Sequence, residues 1–468
     1  MHRGALQLSV NRQTIFHASD LPAVVLEQVM ARLTFPNPAY QEAEKRGFFT
    51  GNIPQFIRGY EFTGSQIMVP RGFTRQLLII LRRAGISYLV NDQRRTLAKV
   101  DFTFRGELHD FQKQAVSAVM SQDFGVLAAP TGSGKTVMAL ALVARQRQPA
   151  LVIVHTRELL EQWVSRIESF LGIPASEVGV IGNGKKRIGD KVTVALVQSL
   201  YKVAHDVAPH IGSLIADECH RCPSRTFTEA VSAFDSRYML GLSATPWHRD
   251  GLTRLIWWHL GDLVFEVNRA ALQDAGQVLR AEVVWRETDF ESKFDASTEY
   301  SQMLSELTQD SERNDLIVGD IVQEAANGGG ICLVLSDRKS HVKDLAQRLA
   351  QRGIESAVLI GDMSINERRV VVAALGVGKI KVLLATAQLI GEGFDCPELS
   401  TLFLSTPIRF DGRLLQCLGR VLRPAPGKGR ARVYDYYDTQ VGVLEHSAKV
   451  RQRVYESHKP GPLKNSNG

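Results

Sequence analysis

Cysteine is scarce: five in 468 residues (Cys219, Cys222, Cys332, Cys396 and Cys417), odd in number and mostly set in apolar runs. That excludes a disulfide framework and suits a reducing compartment. Long apolar runs are missing too. No window approaches the roughly 18 uninterrupted apolar residues of a membrane span, and the N-terminal MHRGALQLSVNRQTIF has no apolar core ahead of a small-residue cleavage site. Neither a membrane-spanning nor a secreted chain is expected. Cys219 and Cys222 make a C-x-x-C, but no second pair lies near it, which argues against zinc. No repeat of about 20 to 50 residues is visible. Net charge is nearly absent from four-fifths of the chain. Residues 1–100 hold 13 Lys and Arg against 6 Asp and Glu, which accounts for the whole excess of +7.

A basic segment is what a polyphosphate partner requires, because each neutralised phosphate releases counterions. A solvated basic face is the plainer alternative. Two outcomes therefore follow from removing residues 1–98. If the segment grips such a partner, a soluble remainder with weaker, less salt-dependent binding to it is left. If it covers an apolar face of the next domain, the truncated chain aggregates.

From about residue 100 short apolar runs alternate with amphipathic ones, the sign of parallel sheets covered on both faces. Strands are expected at 125–129, 150–155, 192–197, 214–217 and 239–243, then at 331–336, 356–360, 381–385 and 401–405. Residues 266–312 are polar, so a hinge is expected near 265–277. The expected fold class is α/β, with two tandem parallel-sheet domains (99–265 and 266–459) after a small α+β accessory domain (1–98) and before a disordered tail (460–468). A helix over 74–84 would set Leu77, Leu78 and Leu81 on one face and Arg75, Arg82 and Arg83 towards another.

The run Ala129-Pro130-Thr131-Gly132-Ser133-Gly134-Lys135-Thr136 follows an expected strand and precedes a helical pattern. It fits a phosphate-binding loop with Ala in the first glycine position. Thr131, Gly132, Ser133 and Gly134 would offer backbone N–H groups to phosphates, Lys135 would neutralise β/γ charge, and Thr136 would ligate Mg²⁺. Asp217-Glu218-Cys219-His220 ends the apolar run Leu214-Ile215-Ala216. Carboxylates at such a strand end suit Mg²⁺ holding by Asp217 and water activation by Glu218. A chance glycine turn and a solvated acidic strand end are the plainer readings of these two segments.

Taken together, residues 105–440 resemble a superfamily 2 helicase or translocase motor, with its motifs in the family order. The resemblance implies two RecA-like P-loop NTPase lobes and ATP with Mg²⁺ as cofactors. Leu108-His109-Asp110-Phe111-Gln112 resembles the adenine-reading segment, with Gln112 on the base. His155-Thr156-Arg157-Glu158-Leu159 resembles motif Ia and Gln198-Ser199-Leu200 the next strand-end contact. Both imply nucleic-acid contacts by Thr156, Arg157, Gln198 and Ser199. Ser243-Ala244-Thr245-Pro246 resembles motif III, implying coupling by Ser243 and Thr245 together with His220. In the second lobe Arg338 and His341 sit at motif IV, where the resemblance leaves nucleic-acid contact and a structural role both open, with Arg338 the candidate contact. Thr386 through Gly391-Glu392-Gly393-Phe394-Asp395 resembles motif V, with Thr386 on nucleic acid and Gly393 and Asp395 at the nucleotide. Gln416 through Arg423 resembles motif VI, where Arg420 and Arg423 would reach the γ-phosphate on lobe closure and Gln416 joins the catalytic set.

The RNA-directed DEAD-box pattern would have Asp where His220 stands and His where Gln416 stands, which favours DNA. The segment Pro246-Trp247-His248-Arg249-Asp250-Gly251 resembles the XPB-like branch, which includes phage branch-migration helicases of the UvsW type. The implied protein is a cytoplasmic monomer of a bacterial or phage-infected cell, acting on branched or duplex DNA without reading sequence. An RNA-stimulated ATPase, a nucleotide-gated binding module without net transport and a restriction-complex motor are the alternatives. Trp247, Trp257 and Trp258 could stack on bases or pack a domain seam, and Lys185-Lys186-Arg187 could touch a phosphate backbone or be a solvated hairpin tip.

Overall fold

The computed structural model of the chain describes residues 5–221, 225–244, 252–268, 272, 279, 281–327, 330–376, 380–387, 389, 396, 398–407, 418, 421, 424, 428 and 430–457. The chain divides into two compact units, one of residues 1–129 and 134–267, the other of 130–133 and 268–468.

The larger sheet of the first unit has the order Lys185–Arg187, Gly179–Gly182, Val192–Leu196, Ala150–Val154, Ser213–Ala216, Tyr238–Ser243, Phe124–Ala128, Leu263–Glu266. All pairings are parallel except that of the edge strand Lys185–Arg187. Ala150–Val154 (ALVIV) and Val192–Leu196 (VTVAL) are buried at every position, as strands covered on both faces must be. The edge strand turns back through Asn183 and Gly184, both left-handed (φ 53° and 77°), as a tight hairpin turn requires. Its three cations are exposed. Lys186 pairs with Asp206 at 3.1 Å and Arg187 donates to Ser176 O at 2.7 Å, so this is a solvated hairpin with its charge partly answered locally.

Residues 5–92 of the same unit build a second, mixed sheet in the order Glu61–Thr63, Gln66–Pro70, Gln13–His17, Leu6–Val10, Tyr88–Asp92. Helices Ala23–Arg32 and Thr74–Arg83 supply Val25, Val29, Leu77 and Leu81 to its core. Leu77 and Leu81 are fully buried, four apart as helical spacing demands. One member of that core comes from elsewhere: Trp258, on helix Thr253–Leu260, is 4% exposed and its ring lies 5.4 Å from that of Phe35. The backbones also meet closely. A Cβ on Gly72 would stand 2.3 Å from Trp257 O, which only glycine avoids.

Polar groups complete this seam. Arg71, 2% exposed, donates to Ser236 O at 2.6 Å; burial and then Arg94 push its guanidinium below the ordinary value, while Asp235, Asp92 and Asp123 push it back up. Arg94 pairs with Asp123 at 2.6 Å, Arg95 with Asp235 at 2.8 Å, and Gln76 donates to Asp262 at 3.0 Å. Part of the N-terminal positive excess therefore answers carboxylates of the neighbouring sheet domain. Of the two outcomes weighed for removing residues 1–98, this packing favours aggregation, since Trp258 and the carboxylates would lose their cover. Trp258→Ala is expected to cost about 3–5 kcal/mol of stability, read as a lowered unfolding midpoint. A soluble truncation with the parent's unfolding midpoint would contradict the shared core.

The second unit holds an all-parallel sheet in the order Ala281–Thr288, Ala431–Asp438, Leu399–Leu404, Ile331–Ser336, Val382–Thr386, Ser356–Leu359. Helices Ser311–Asn327 and Lys339–Gln351 bury Ile317, Ile321, Val342 and Leu345 on it. The polar stretch 266–312 is not all connector: its residues Ala281–Thr288 pair in full register with Ala431–Asp438. Both units are thus α/β with parallel sheets, in keeping with tandem RecA-like folds, and the first carries an accessory α+β region.

Candidate active site

The phosphate-loop sequence runs from the end of strand Phe124–Ala128 to helix Lys135–Gln146. Gly132 (φ 89°) and Gly134 (φ 80°) take left-handed conformations that side chains resist. Gly134 caps the helix, with Met138 N donating to its carbonyl at 3.0 Å. The Ser133 hydroxyl donates to Pro130 O at 2.7 Å, and Lys135 Nζ reaches back to Ala129 O at 3.2 Å. Thr136, the second residue of the helix, is half-buried. Gln112 is buried against this loop: its Oε1 accepts His109 N at 2.9 Å, and a Cβ on Gly134 would lie 2.4 Å from its Nε2.

Asp217 and Glu218 follow strand Ser213–Ala216, separated from the loop strand by Tyr238–Ser243 alone. Asp217 is buried and pinned at both oxygens: Oδ1 accepts Glu218 N at 2.9 Å and Oδ2 accepts the Trp163 indole N–H at 2.8 Å. Burial first, and the Glu218 charge second, hold its carboxyl above the usual range, while the Trp163 bond and the Lys135 charge act the other way. Glu218 has φ 50°, a left-handed backbone rare for its type and concentrated at working sites. His220 Nδ1 stands 3.3 Å from Glu218 Oε2 and 3.1 Å from the buried Ser243 hydroxyl. Ser243 in turn pairs with Ala128, and its carbonyl accepts Ala129 N at 2.9 Å. The two carboxylates, His220, Ser243 and the phosphate loop are thereby linked at adjacent strand ends.

Thr136 and Asp217 offer hard oxygen donors, the set Mg²⁺ prefers. A buried carboxylate held high by a second carboxylate is also what a divalent cation would relieve. The residues fit a nucleotide with its metal: Lys135 and the loop N–H groups would hold the phosphates, and Thr136 and Asp217 the cation.

At the ends of the two strands beyond Ser213–Ala216, Thr156 caps helix Arg157–Leu171 by accepting Leu159 N at 3.3 Å. Gln198 Nε2 donates to His155 O at 3.3 Å, which brings these two segments together. Arg157 and Gln198 are exposed and Ser199 is half-buried. In the second unit Arg338 and Thr386 end neighbouring strands, Ser336 pairing with Thr386. The Arg338 guanidinium donates to the Ser301 hydroxyl at 2.8 Å. His341 does not reach a surface. It is 1% exposed, lies 3.0 Å from the Ser336 hydroxyl and 2.8 Å from Asn314 Oδ1, and is pushed down to about 3 by burial and then by Arg313 and Arg348. Thr245, Trp247, Gly393, Asp395, Gln416, Arg420 and Arg423 lie outside the described residues.

Two family models match, "Type III restriction enzyme, res subunit" over residues 105–248 and "Helicase conserved C-terminal domain" over 315–425. The chain belongs to helicase superfamily 2. Among curated proteins this helicase is 28% identical to "Probable helicase D10" of Escherichia phage T5 over 388 residues, 81% of this chain and 82% of that protein. It is 35% identical to "DNA 3'-5' translocase XPB2" of Sulfurisphaera tokodaii over 159 residues, 34% of this chain and 35% of that one. The crystal structure of the Pyrococcus furiosus Hef helicase domain, 16% identical, shares the fold at a TM-score of 0.50 over 72% of this chain and 97% of that one. The helicase is related to the XPB branch, and ATP-dependent activity on nucleic acid follows from its superfamily.

Trp163 escaped the sequence reading. Leu160, Trp163, Ile167 and Leu171 form the buried stripe of one helix, so a tryptophan there reads as core. Only the fold turns its N–H onto Asp217. Trp258 escaped differently: the sequence leaves seam packing and base stacking open, and the structure buries it in the seam.

Proposed function

We propose that this helicase couples ATP hydrolysis to movement on DNA, remodelling forks and four-way junctions in branch migration, recombination and repair. ATP and Mg²⁺ are held by Gln112, the loop 131–136 and Asp217. Glu218 activates the attacking water. Gly393, Asp395, Gln416, Arg420 and Arg423 complete the nucleotide site from the second lobe on closure. DNA runs along Thr156, Arg157, Gln198, Ser199, Arg338 and Thr386, gripped by its backbone and so without sequence preference. The protein acts as a cytoplasmic monomer.

The observation that carries the reading is the His220 contact to both Glu218 and Ser243, a physical link between the hydrolytic carboxylate and the strand end next to the phosphate loop. The translocase relative is named for DNA. His220 and Gln416, where an RNA-directed DEAD-box chain would differ, favour DNA as well. The test is an ATPase assay at fixed salt against single-stranded, duplex, forked and four-way-junction DNA and RNA, paired with strand displacement. Greatest stimulation by branched DNA with displacement is expected. Stimulation by RNA alone, or tight binding without displacement, would replace this reading.

A further inference from the structure

We infer that Trp163 is a positioning residue for the metal-holding carboxylate: its indole N–H fixes the rotation of Asp217 so that the remaining lone pairs face the phosphate loop. The inference rests on Asp217 being the Mg²⁺ carboxylate, and it deepens that reading. Trp163 is 2% exposed and Asp217 6%, so the 2.8 Å bond between them is shielded from water on both sides. A charge-assisted bond of this kind is stronger than a neutral one. A carboxylate has a lone pair to spare on each oxygen after one bond at each. Glu218 N takes one on Oδ1 and Trp163 one on Oδ2, which pins the carboxylate plane at two points and leaves a lone pair on each oxygen for a cation or its water.

Indole is a donor only, so it cannot compete as a metal ligand, and its bulk in the helix stripe prevents rotation. Phenylalanine at this position keeps the apolar filling and removes the donor. Partners of metal ligands typically contribute 10- to 100-fold in metal affinity or activity when lost.

The experiment uses the full chain. Trp163→Phe is expected to raise the Mg²⁺ concentration for half-maximal ATPase by about 10- to 100-fold, with the rate recovered at excess Mg²⁺. Its nucleotide binding in EDTA and its unfolding midpoint should match the parent. An unchanged Mg²⁺ requirement would overturn the inference, and so would a rate that excess Mg²⁺ does not restore. A second measurement needs no variant. With ¹⁵N-indole-labelled wild-type protein, Mn²⁺ and ADP should broaden one of the five tryptophan N–H resonances far more than the rest; no selective broadening contradicts the placement. If Lys135→Ala retains turnover, the nucleotide-site reading itself fails. If Lys135→Ala is inactive while Trp163→Phe keeps the parent's Mg²⁺ requirement, only the role of Trp163 fails.

Discussion

Lys135→Ala is expected to abolish ATP turnover while nucleotide-free DNA binding stays near that of the parent. Lys135 opens the helix after the left-handed Gly134, its Nζ spans the loop to Ala129 O, and its charge is felt at Asp217. In that position it would neutralise the β- and γ-phosphates as charge moves between them, and no other cation among the loop residues 129–136 can stand in. Loss of one transition-state donor costs about 10²–10³ in rate, and loss of the loop's charge should exceed that. The fold tolerates the change, because Lys135 is half-buried and its hydrogen bond runs to a backbone carbonyl at a helix start. The DNA face should be spared, since Thr156 and Gln198 belong to other strand ends of the same sheet. Steady-state turnover and anisotropy with labelled duplex would be measured together. Near-normal turnover would remove the phosphate-loop assignment.

Arg420→Ala is expected to lower kcat by about 10³–10⁵ with little change in ATP affinity. An arginine that meets the γ-phosphate only on closure acts on charge that develops during transfer, so its loss appears in kcat rather than in binding. Arg423, three residues on in the sequence, is the competing candidate, and the matching variant must be measured beside it. If ATP affinity collapsed while kcat survived, Arg420 would be a ground-state contact and Arg423 the candidate for the transition state.

The strand–loop–helix around residues 129–136 was legible because its glycines answer a local demand of backbone geometry, and the loop emerges between strand Phe124–Ala128 and helix Lys135–Gln146 with Gly132 and Gly134 left-handed. The strands expected at 331–336 and 192–197 were legible for a similar reason, since burial on both faces leaves an unbroken apolar run. Strands whose polar groups are answered far away were not. Ala431–Asp438 (ARVYDYYD) reads as a polar segment, yet Asp435 pairs with Arg451 at 2.7 Å, Asp438 with Arg313 at 2.7 Å, and the Tyr434 hydroxyl reaches Glu324 at 3.1 Å. Those partners lie up to 125 residues away, beyond any window of periodicity. Its edge partner Ala281–Thr288 is half-open to solvent and was hidden in the same way.

The N-terminal charge is the instructive case. The excess of +7 was legible, but its use was not, because Arg71, Arg94 and Arg95 find acceptors on the neighbouring sheet domain, 29 to 165 residues away. Arg32, Arg75, Arg82 and Arg83 stay exposed, so the accessory region combines a structural seam with surface cations.

Unwinding of a forked duplex by the wild type and by Glu218→Gln, side by side in ATP and Mg²⁺, tests the account most directly. Glu218 stands at the strand end beside the phosphate loop with His220 on its carboxylate, so the amide should leave ATP binding intact and stop activation of the water. The predicted result is strand release by the wild type, and a Glu218→Gln protein that holds the fork tightly in ATP and releases nothing. A wild type that hydrolyses ATP at the same rate with or without the fork and frees no strand, or a Glu218→Gln variant that unwinds like its parent, would contradict it.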